Sequence, residues 1–308
     1  MEGLVTKSTG SWYTVRLPDG MRIPCTLKGK MRIRDIRTTN PVAVGDRVEV
    51  DFNRQENTGV IRNVLQRDNY IIRKSTKLSK ASHIIAANID QAFLIATLVL
   101  PRTSTGFIDR FLVTAEAYHI PAGIIFNKTD LYDGELRQRH QELVGLYSSI
   151  GYRCFATSAV TGEGIGQLAE ALKGNTTLFS GHSGVGKSAI INYLEPGLKL
   201  RTAEISAWHL KGVHTTTFAE LFELSAGGFI IDTPGIREFG LIDFRKEEVA
   251  ERFPEMRAIM HQCQFNNCTH VHEPRCAVKK ALEEGKIDAG RYRNYLRILE
   301  GDWEDMET

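Results

Sequence analysis

The residues with the most specific chemistry lie between positions 181 and 188 of this 308-residue chain. They read Gly181-His182-Ser183-Gly184-Val185-Gly186-Lys187-Ser188, followed by Ala189, and match the pattern G-x-x-x-x-G-K-[ST]. A strand-like run, NTTLFS, precedes the motif, and a helix-like run, SAIINYL, follows it. This context predicts backbone N–H groups turned onto phosphate oxygens, with Lys187 on the β- and γ-phosphates and the Ser188 hydroxyl on Mg²⁺. The alternative, a glycine-rich turn with a chance lysine, is disfavoured by the flanking strand and helix.

Two further segments are predicted to complete a phosphate and magnesium site. Asp232-Thr233-Pro234-Gly235 follows the apolar run GFII, so Asp232 is expected to hold Mg²⁺ through water and the Gly235 N–H to contact the γ-phosphate. Between the two motifs lies Gly212-Val213-His214-Thr215-Thr216-Thr217. Thr215 is predicted to offer Mg²⁺ a second hydroxyl, although β-propensity explains a threonine triplet before a strand equally well.

The choice of base is predicted from two segments that each end a strand-like run. The segments are Asn127-Lys128-Thr129-Asp130 and Thr157-Ser158-Ala159. The Asp130 carboxylate is suited to accept hydrogen bonds from the N1–H and the exocyclic amine of guanine, a pair that adenine lacks. Nucleotides bind at the carboxyl ends of strands in open parallel sheets, which is where both segments fall.

The order of these motifs is unusual. A standard GTPase runs from the phosphate loop through D-x-x-G to N-K-x-D, whereas here NKTD and TSA precede the phosphate loop. The sheet can still close if the run AFLIATL (92–98) lies where the chain after DTPG ordinarily continues. The sequence therefore predicts a circularly permuted GTPase domain. The hypothesis that follows is that nucleotide-driven motion passes to the segment after Gly235.

A third group of residues is suited to bind a metal. Cys263-x4-Cys268-x-His270-x5-Cys276 offers three thiolates and one imidazole within a short span, and four such ligands suit a tetrahedral structural Zn²⁺. His261 and His272 are competing ligands, and free cysteines with ordinary histidines are the alternative. Cys25 and Cys154, isolated in apolar surroundings, are interpreted as small buried hydrophobic residues.

Composition indicates a globular chain of several domains. Apolar residues make up 42% and charged residues 25%, and we expect neither a signal peptide nor a membrane span, which favours a cytoplasmic protein. The net charge of +2 conceals an asymmetry, because residues 1–85 carry 16 Lys and Arg against 8 Asp and Glu. A basic first domain suits a polyanionic partner, and a solvated charged face is the alternative.

Hydrophobic patterning divides the chain into four parts and predicts a multidomain α/β protein. Residues 1–68 read as about five short strands, hence a β-barrel of OB type, with an SH3-like barrel as the alternative. Residues 69–85 are predicted to be a basic linker, and residues 86–242 a parallel sheet with helices near 106–119, 133–149, 164–173 and 187–194. Residues 243–308 are predicted to be a helical zinc-binding domain, with one helix near 278–300.

The motifs together resemble the ribosome-small-subunit-dependent GTPase family that includes RsgA, YjeQ and YloQ. The likeness covers nearly the whole chain and rests on NKTD, TSA, GHSGVGKS, GVHTTT, DTPG and the C-x4-C-x-H-x5-C spacing. It implies an N-terminal OB-fold, a permuted GTPase domain and a C-terminal zinc domain. It also selects His270 as the fourth zinc ligand.

The resemblance implies a function in late maturation of the small ribosomal subunit. The expected cofactors are GTP or GDP, Mg²⁺ and one structural Zn²⁺; the expected partners are the subunit and its rRNA, with the protein itself a monomer. The subunit is expected to stimulate a slow intrinsic hydrolysis. Ile236 stands where Ras-like enzymes carry a water-orienting glutamine. The resemblance implies that the switch histidine, His214 here, takes its place in catalysis, with a structural or rRNA-binding role as the alternative. The family often has Arg or Gln where this chain has Val213, so no phosphate or rRNA contact is assigned to that side chain.

Two other functions are weighed against this one. The first is an RNA-binding module that binds GTP as a ligand with negligible turnover, which Ile236 favours and Lys187 with Ser188 oppose. The second is an ATPase, which Asp130 opposes because its carboxylate cannot pair with adenine.

Overall fold

The computed structural model describes residues 1–28, 41–74, 82–200, 219–232 and 246–301. An eleven-stranded sheet runs through both the N-terminal barrel and the central domain, and a two-stranded sheet lies beside it. Short helices form the C-terminal part. In the ranges just given, none of the helices combines the length and the apolar character that crossing a membrane requires.

The N-terminal strands form the predicted closed barrel. They are β1 (Glu2–Ser8), β2 (Tyr13–Arg16), β3 (Arg22–Leu27), β4 (Arg47–Asn53) and β5 (Thr58–Val64). They pair in the order β1-β2-β3-β5-β4, and a further β1–β4 pairing closes the barrel. Alternate residues point inward, as in β4, where Val48 and Val50 are buried between exposed neighbours.

Residues 69–85, predicted to be a linker, contain paired strands. β6 (Tyr70–Lys74) pairs antiparallel with β7 (Ser82–Ala87). Ile71 and Ile84 are buried against the core of the central domain. The segment is therefore partly a β-hairpin, because its β-branched residues have an apolar surface to cover.

The central domain is a parallel sheet between helices. Its strands are β8 (Gln91–Ala96), β9 (Ala122–Asn127), β10 (Arg153–Thr157), β11 (Thr176–Ser180), β12 (Glu220–Glu223) and β13 (Phe229–Asp232). The order is β10-β9-β8-β11-β13-β12, parallel except for β12. Its helices are α1 (Thr105–Ala117), α2 (Gly134–Ser149), α3 (Ile165–Leu172) and α4 (Lys187–Leu194). Strand β8 lies between β9 and β11, as the permuted order requires.

The C-terminal domain packs short helices around a small core. They are α5 (Lys246–Val249), α6 (Pro254–Arg257), α7 (Ala277–Glu283) and α8 (Ala289–Glu300). Single 3₁₀ turns lie at Thr129–Leu131, Pro196–Leu198, Ala250–Arg252 and Met260–Gln262. The prediction of one helix near 278–300 was wrong. Gly285 has φ of +71°, which ends α7, and the Asp288 side chain caps α8 by accepting from the Arg291 N–H.

A strand pairing and two ion pairs join the barrel to the edge of the central sheet. Strand β1 pairs antiparallel with β12, with Lys7 opposite Glu220. The Lys7 Nζ lies 3.2 Å from the Glu220 carboxylate, and the Arg16 guanidinium donates two hydrogen bonds of 2.8 and 2.6 Å to Glu223. Backbone pairing and partly exposed ion pairs thus connect the two domains.

Candidate nucleotide site and metal cluster

The predicted phosphate loop lies between β11 and α4. Gly181 and Gly186 have φ of +146° and +99°, which fold the backbone around the loop interior. A Cβ on Gly186 would lie 2.3 Å from Asn127 Nδ2, so only glycine fits there. Lys187 Nζ donates to the carbonyl oxygens of Gly181 and His182 at 2.6 and 2.9 Å. The geometry matches a loop that cradles phosphate with its ammonium group close by.

Asp232 ends β13 beside the start of this loop. It lies opposite Phe179 in the parallel pairing of β11 with β13. Burial lowers the pKa of Lys187, and the charge of Asp232 opposes that shift. An ammonium and a carboxylate therefore face the same loop, the arrangement that phosphate with a divalent cation requires.

The predicted base-recognition segment (residues 127–130) is hydrogen-bonded directly to the predicted phosphate loop. Asn127 Nδ2 donates to the Val185 carbonyl oxygen at 2.8 Å, and Thr157 Oγ1 donates to Asn127 Oδ1 at 3.1 Å. Asp130 is exposed, and its Oδ1 accepts from Ser158 Oγ at 2.6 Å. The NKTD segment, the TSA segment and the phosphate loop therefore converge at one end of the sheet.

Three predicted residues, His214, Thr215 and Gly235, lie outside the described residues. Ile236 and Val213 lie outside them too. Ser188 and Ala189 lie in the first turn of α4, at the helix end that attracts anions. Ala159 is partly exposed and lies next to Ser158.

The predicted metal ligands form a compact cluster. One ligand atom from each of Cys263, Cys268, His270 and Cys276 lies within 4.8 Å of all the others. His270 Nδ1 is 3.3 Å from Cys276 Sγ and 3.6 Å from Cys263 Sγ. His261 and His272 are exposed and do not belong to the cluster. Three sulfur atoms and one imidazole nitrogen in this arrangement fit a tetrahedral zinc ion.

Neighbouring groups hold these four side chains in place. The Ala277 N–H donates to Cys263 Sγ at 3.3 Å, and the Lys279 N–H donates to Cys276 Sγ at 3.5 Å. Tyr292 Oη donates to the His270 carbonyl oxygen at 2.6 Å. Burial raises the pKa of the Cys268 thiol to about 12, so a bound cation would be needed to hold it as a thiolate.

Family models and relatives agree with this arrangement. The RsgA GTPase model matches residues 64–242, and the RsgA N-terminal domain model matches residues 2–61. The small ribosomal subunit biogenesis GTPase RsgA of Bacteroides fragilis is 55% identical over 300 residues, which cover 97% of this chain and 96% of that protein. The chain belongs to the RsgA GTPase family. The RsgA of Christiangramia forsetii is 53% identical over 304 residues, which cover 98% of this chain and 96% of that protein.

Solved RsgA-family structures share the whole architecture. YjeQ from Thermotoga maritima superimposes with a TM-score of 0.79 at 39% identity and covers 97% of both chains. YloQ, described as a circularly permuted GTPase, gives a TM-score of 0.74 at 28% identity over 100% of this chain and 96% of that one. The predicted fold class is thereby confirmed: an N-terminal OB-type barrel, a permuted GTPase domain and a C-terminal domain with a Cys3His cluster.

The sequence did not reveal a further contact at this site, made by the loop between β8 and α1. Lys128 Nζ donates to the Leu100 carbonyl oxygen, and Tyr132 Oη accepts from the Leu98 N–H at 3.3 Å. Tyr132 Oη also donates to the Asn127 carbonyl oxygen at 2.8 Å, and burial raises the pKa of this hydroxyl to about 12. Tyr132 therefore stays protonated and ties the loop to the base-recognition segment. A lone tyrosine after NKTD carries no signal that identifies this contact.

Proposed function

We propose that this chain hydrolyses GTP to GDP and phosphate during late maturation of the small ribosomal subunit, with stimulation by the subunit. The observation that supports this most directly is the hydrogen bond from Asn127 to Val185, which fixes the base-recognition segment against the phosphate loop. Segments far apart in the sequence, in permuted order, are thereby held together at one end of the sheet. The names of the B. fragilis and C. forsetii relatives supply the biological setting.

Selection of guanine is assigned to Asp130. Its carboxylate is exposed and is oriented by Ser158, so it can accept hydrogen bonds from the N1–H and the exocyclic amine of the base. Asn127 and Thr157 position this segment, and the backbone of Ser158 and Ala159 would support the bound base. Lys128 lies at the same edge with φ of +64°.

Binding of the triphosphate is assigned to residues 181–189 and to Lys187 in particular. The Lys187 ammonium would exchange its two carbonyl partners for β- and γ-phosphate oxygens, which compensate its charge better. Ser188, Thr215 and Asp232 are the proposed Mg²⁺ ligands, Asp232 through water. The bound ion would neutralise charge on the phosphates.

Hydrolysis requires a water oxygen to bond to the γ-phosphorus while the bond from that phosphorus to the β–γ bridging oxygen breaks. GDP leaves with the bonding electron pair, and the water releases a proton. His214 is proposed to orient that water or accept its proton, because Ile236 has no polar group to do so. The Gly235 N–H is proposed to contact the γ-phosphate.

Zinc binding by Cys263, Cys268, His270 and Cys276 is proposed to be structural. All four donors are protein side chains, so a tetrahedral ion keeps no position for substrate. The ion would fix the segment between α6 and α7, to which Tyr292 is also hydrogen-bonded. We further propose that the barrel and this domain contact rRNA, and that the protein is a cytoplasmic monomer.

The test is release of phosphate from GTP with and without purified small subunits. We expect a slow basal rate that the subunits raise, and loss of turnover in Lys187→Ala. Arg257→Gln, a substitution distant from the phosphate loop, is the matched control. Binding of GTP with no turnover in either condition would instead indicate a GTP-liganded RNA-binding module.

Base recognition is tested with Asp130→Asn. The amide loses the acceptor pair for guanine and gains a donor for the carbonyl group that xanthine carries in place of the exocyclic amine. We expect affinity for GTP to fall and affinity for xanthosine triphosphate to rise. Unchanged GTP affinity would remove Asp130 from the site.

The role of His214 is tested with His214→Ala. We expect a lower kcat with little change in KM, because a group that acts on the attacking water contributes mainly in the transition state. Wild-type turnover with subunits present would return His214 to a structural or rRNA-binding role.

A further inference from the structure

Helix α1 connects the nucleotide site to the C-terminal domain. Its residues from Gly106 to Ala115 are buried, so it has no face fully open to solvent. Ser104 caps the helix, with its Oγ accepting from the Phe107 N–H at 3.1 Å. In the loop just before the helix, the Leu100 carbonyl oxygen accepts from Lys128 of the base-recognition segment, and the Leu98 N–H donates to Tyr132, two residues after that segment.

The first turn of α1 supports the phosphate loop. The Phe107 ring stacks on the His182 ring with centroids 3.9 Å apart and planes tilted by 31°. Pro101 is also close, since a Cβ on Gly184 would lie 3.5 Å from its Cδ. A shift of α1 along or around its axis would therefore move the surface on which the phosphate loop rests.

The opposite side of α1 is held by the C-terminal domain. Asp109 is completely buried and accepts from Arg291 Nη1 and Asn294 Nδ2, both at 2.6 Å, and from Tyr147 Oη at 2.9 Å. Arg291 also donates to both carboxylate oxygens of Glu255, at 2.7 and 3.0 Å. Each residue turns a helix by about 100°, so Phe107 and Asp109 face nearly opposite directions.

This buried cluster fixes the position of α1 more tightly than apolar packing would. Burial of a charged pair brings little net stability compared with apolar groups, but it tolerates no displacement, because a displaced partner leaves a buried charge uncompensated. The Arg291 guanidinium contacts carboxylates on α1 and α6 together, and Asn294 adds a third contact from α8. The helix and the C-terminal domain should therefore move as one body.

We propose that Asp109, Arg291 and Asn294 are positioning residues for the phosphate loop, through which the C-terminal domain controls nucleotide retention by way of α1 and the Phe107–His182 stack. This inference rests on the proposed GTPase function and adds a regulatory contact to the same site. It differs from the hypothesis that nucleotide-driven motion passes to the segment after Gly235. The contact proposed here runs through α1, which precedes both NKTD and the phosphate loop in the sequence.

The test measures dissociation of N-methylanthraniloyl-GDP from the full-length, zinc-loaded protein by stopped-flow fluorescence. Arg291→Lys keeps the charge but loses the planar fork that spans two carboxylates. We expect it to raise the dissociation rate by about 5-fold or more, the usual lower range for coupling between sites. Asn294→Ala, a milder change that preserves the ion pair, should act in the same direction.

The matched control is Arg257→Gln. Arg257 also joins α6 to α1, through a 2.8 Å ion pair with Glu116, but it is half exposed and contacts the far end of the helix. We expect it to leave the dissociation rate unchanged. Each variant is measured well below its own unfolding temperature, with its zinc content verified.

A double-substitution cycle separates positioning from general destabilisation. Phe107→Leu removes the ring that stacks on His182, at the other side of α1 from Asp109. If both substitutions act through α1, the double variant with Arg291→Lys should raise the dissociation rate by less than the product of the two single increases. A lower unfolding temperature with a dissociation rate within about twofold of wild type, or multiplicative effects in the double variant, would overturn the inference. If wild-type protein binds no guanine nucleotide, the proposed function itself fails, and that result is distinguishable from both.

Discussion

The domains on either side of the GTPase domain are stabilised in opposite ways. Among the residues that the structure describes, the core cluster of the barrel contains only barrel residues, such as Val15, Ile23 and Val48, and the barrel strands form a closed hydrogen-bonded ring. The C-terminal domain has helices of 4 to 12 residues, and its core cluster includes Val113 from α1 of the neighbouring domain. The core of the barrel is thus separate from its neighbour, whereas the core of the C-terminal domain includes a residue of the GTPase domain together with Cys268 and Cys276.

Their charged contacts with the GTPase domain differ in the same sense. The side chains of Arg16 and Glu223 at the barrel junction are 24% and 38% exposed. Those of Arg291 and Asp109 are 1% and 0% exposed. Exposed pairs contribute little, while breaking a buried pair leaves a charge without solvent. The ion pair at the barrel junction can therefore be lost at little cost in stability, whereas loss of one partner of the Arg291–Asp109 pair should be strongly destabilising.

Removal of zinc should give the largest difference between the two domains. Structural zinc sites contribute about 10–16 kcal/mol of apparent binding free energy in small peptides, and the C-terminal core contains Cys268 and Cys276 themselves. Treatment with a strong chelator should abolish hydrogen-exchange protection in α7 and leave the barrel strands protected. Equal loss in both domains, or loss in neither, would contradict the comparison.

Substitution of one arginine at each junction should have very different effects on the free energy of unfolding. Arg291→Met is expected to destabilise the C-terminal domain by about 3–5 kcal/mol, because Asp109 and Glu255 lose their cation. Arg16→Met at the barrel junction should cost about 0–1 kcal/mol. Urea unfolding followed by hydrogen exchange in each domain measures both, and similar costs would show that burial does not distinguish them.

Removal of one tyrosine hydroxyl from each domain should give a smaller difference in the free energy of unfolding. Tyr295 Oη donates to the Thr269 carbonyl oxygen at 2.5 Å, and burial raises the pKa of this hydroxyl, which therefore remains a donor at neutral pH. Tyr295→Phe leaves that carbonyl group without its donor and should cost about 1–3 kcal/mol. Tyr13→Phe, whose bond to Gly10 is 3.3 Å long, is the barrel counterpart and should cost less.

The smallest effect is expected for Glu220→Gln. Its ion pair with Lys7 is partly exposed, so its loss should cost less than about 1 kcal/mol, and the cost should shrink further as salt is added. Thermal unfolding at low and high salt measures it. A large effect that does not depend on salt would show that this pair, rather than backbone pairing, holds the barrel to the sheet.

Local patterns were sufficient for the permuted sheet and for the three cysteines of the metal cluster, whereas the choice of His270 over His261 and His272 came from the family resemblance. The prediction for α2 near 133–149 agrees with Gly134–Ser149, because its capping residue and periodicity lie in adjacent residues. The Asp109–Arg291 contact joins residues 182 positions apart, and no local pattern reports such a distance. The break between α7 and α8 was missed because the charges on both sides continue the helical pattern.

Strand β8 has an all-buried pattern, and its hydrogen-bonded neighbour β11 is encoded about 85 residues later. A ribosome that adds 5–20 residues each second would leave that apolar edge unpaired for roughly 4–17 s. The newly made half, which carries the base-recognition segment, cannot yet hold a phosphate group. The permuted gene order therefore delays ligand-assisted folding until late in synthesis, and it exposes the central strand to chaperones or to other nascent chains in the meantime.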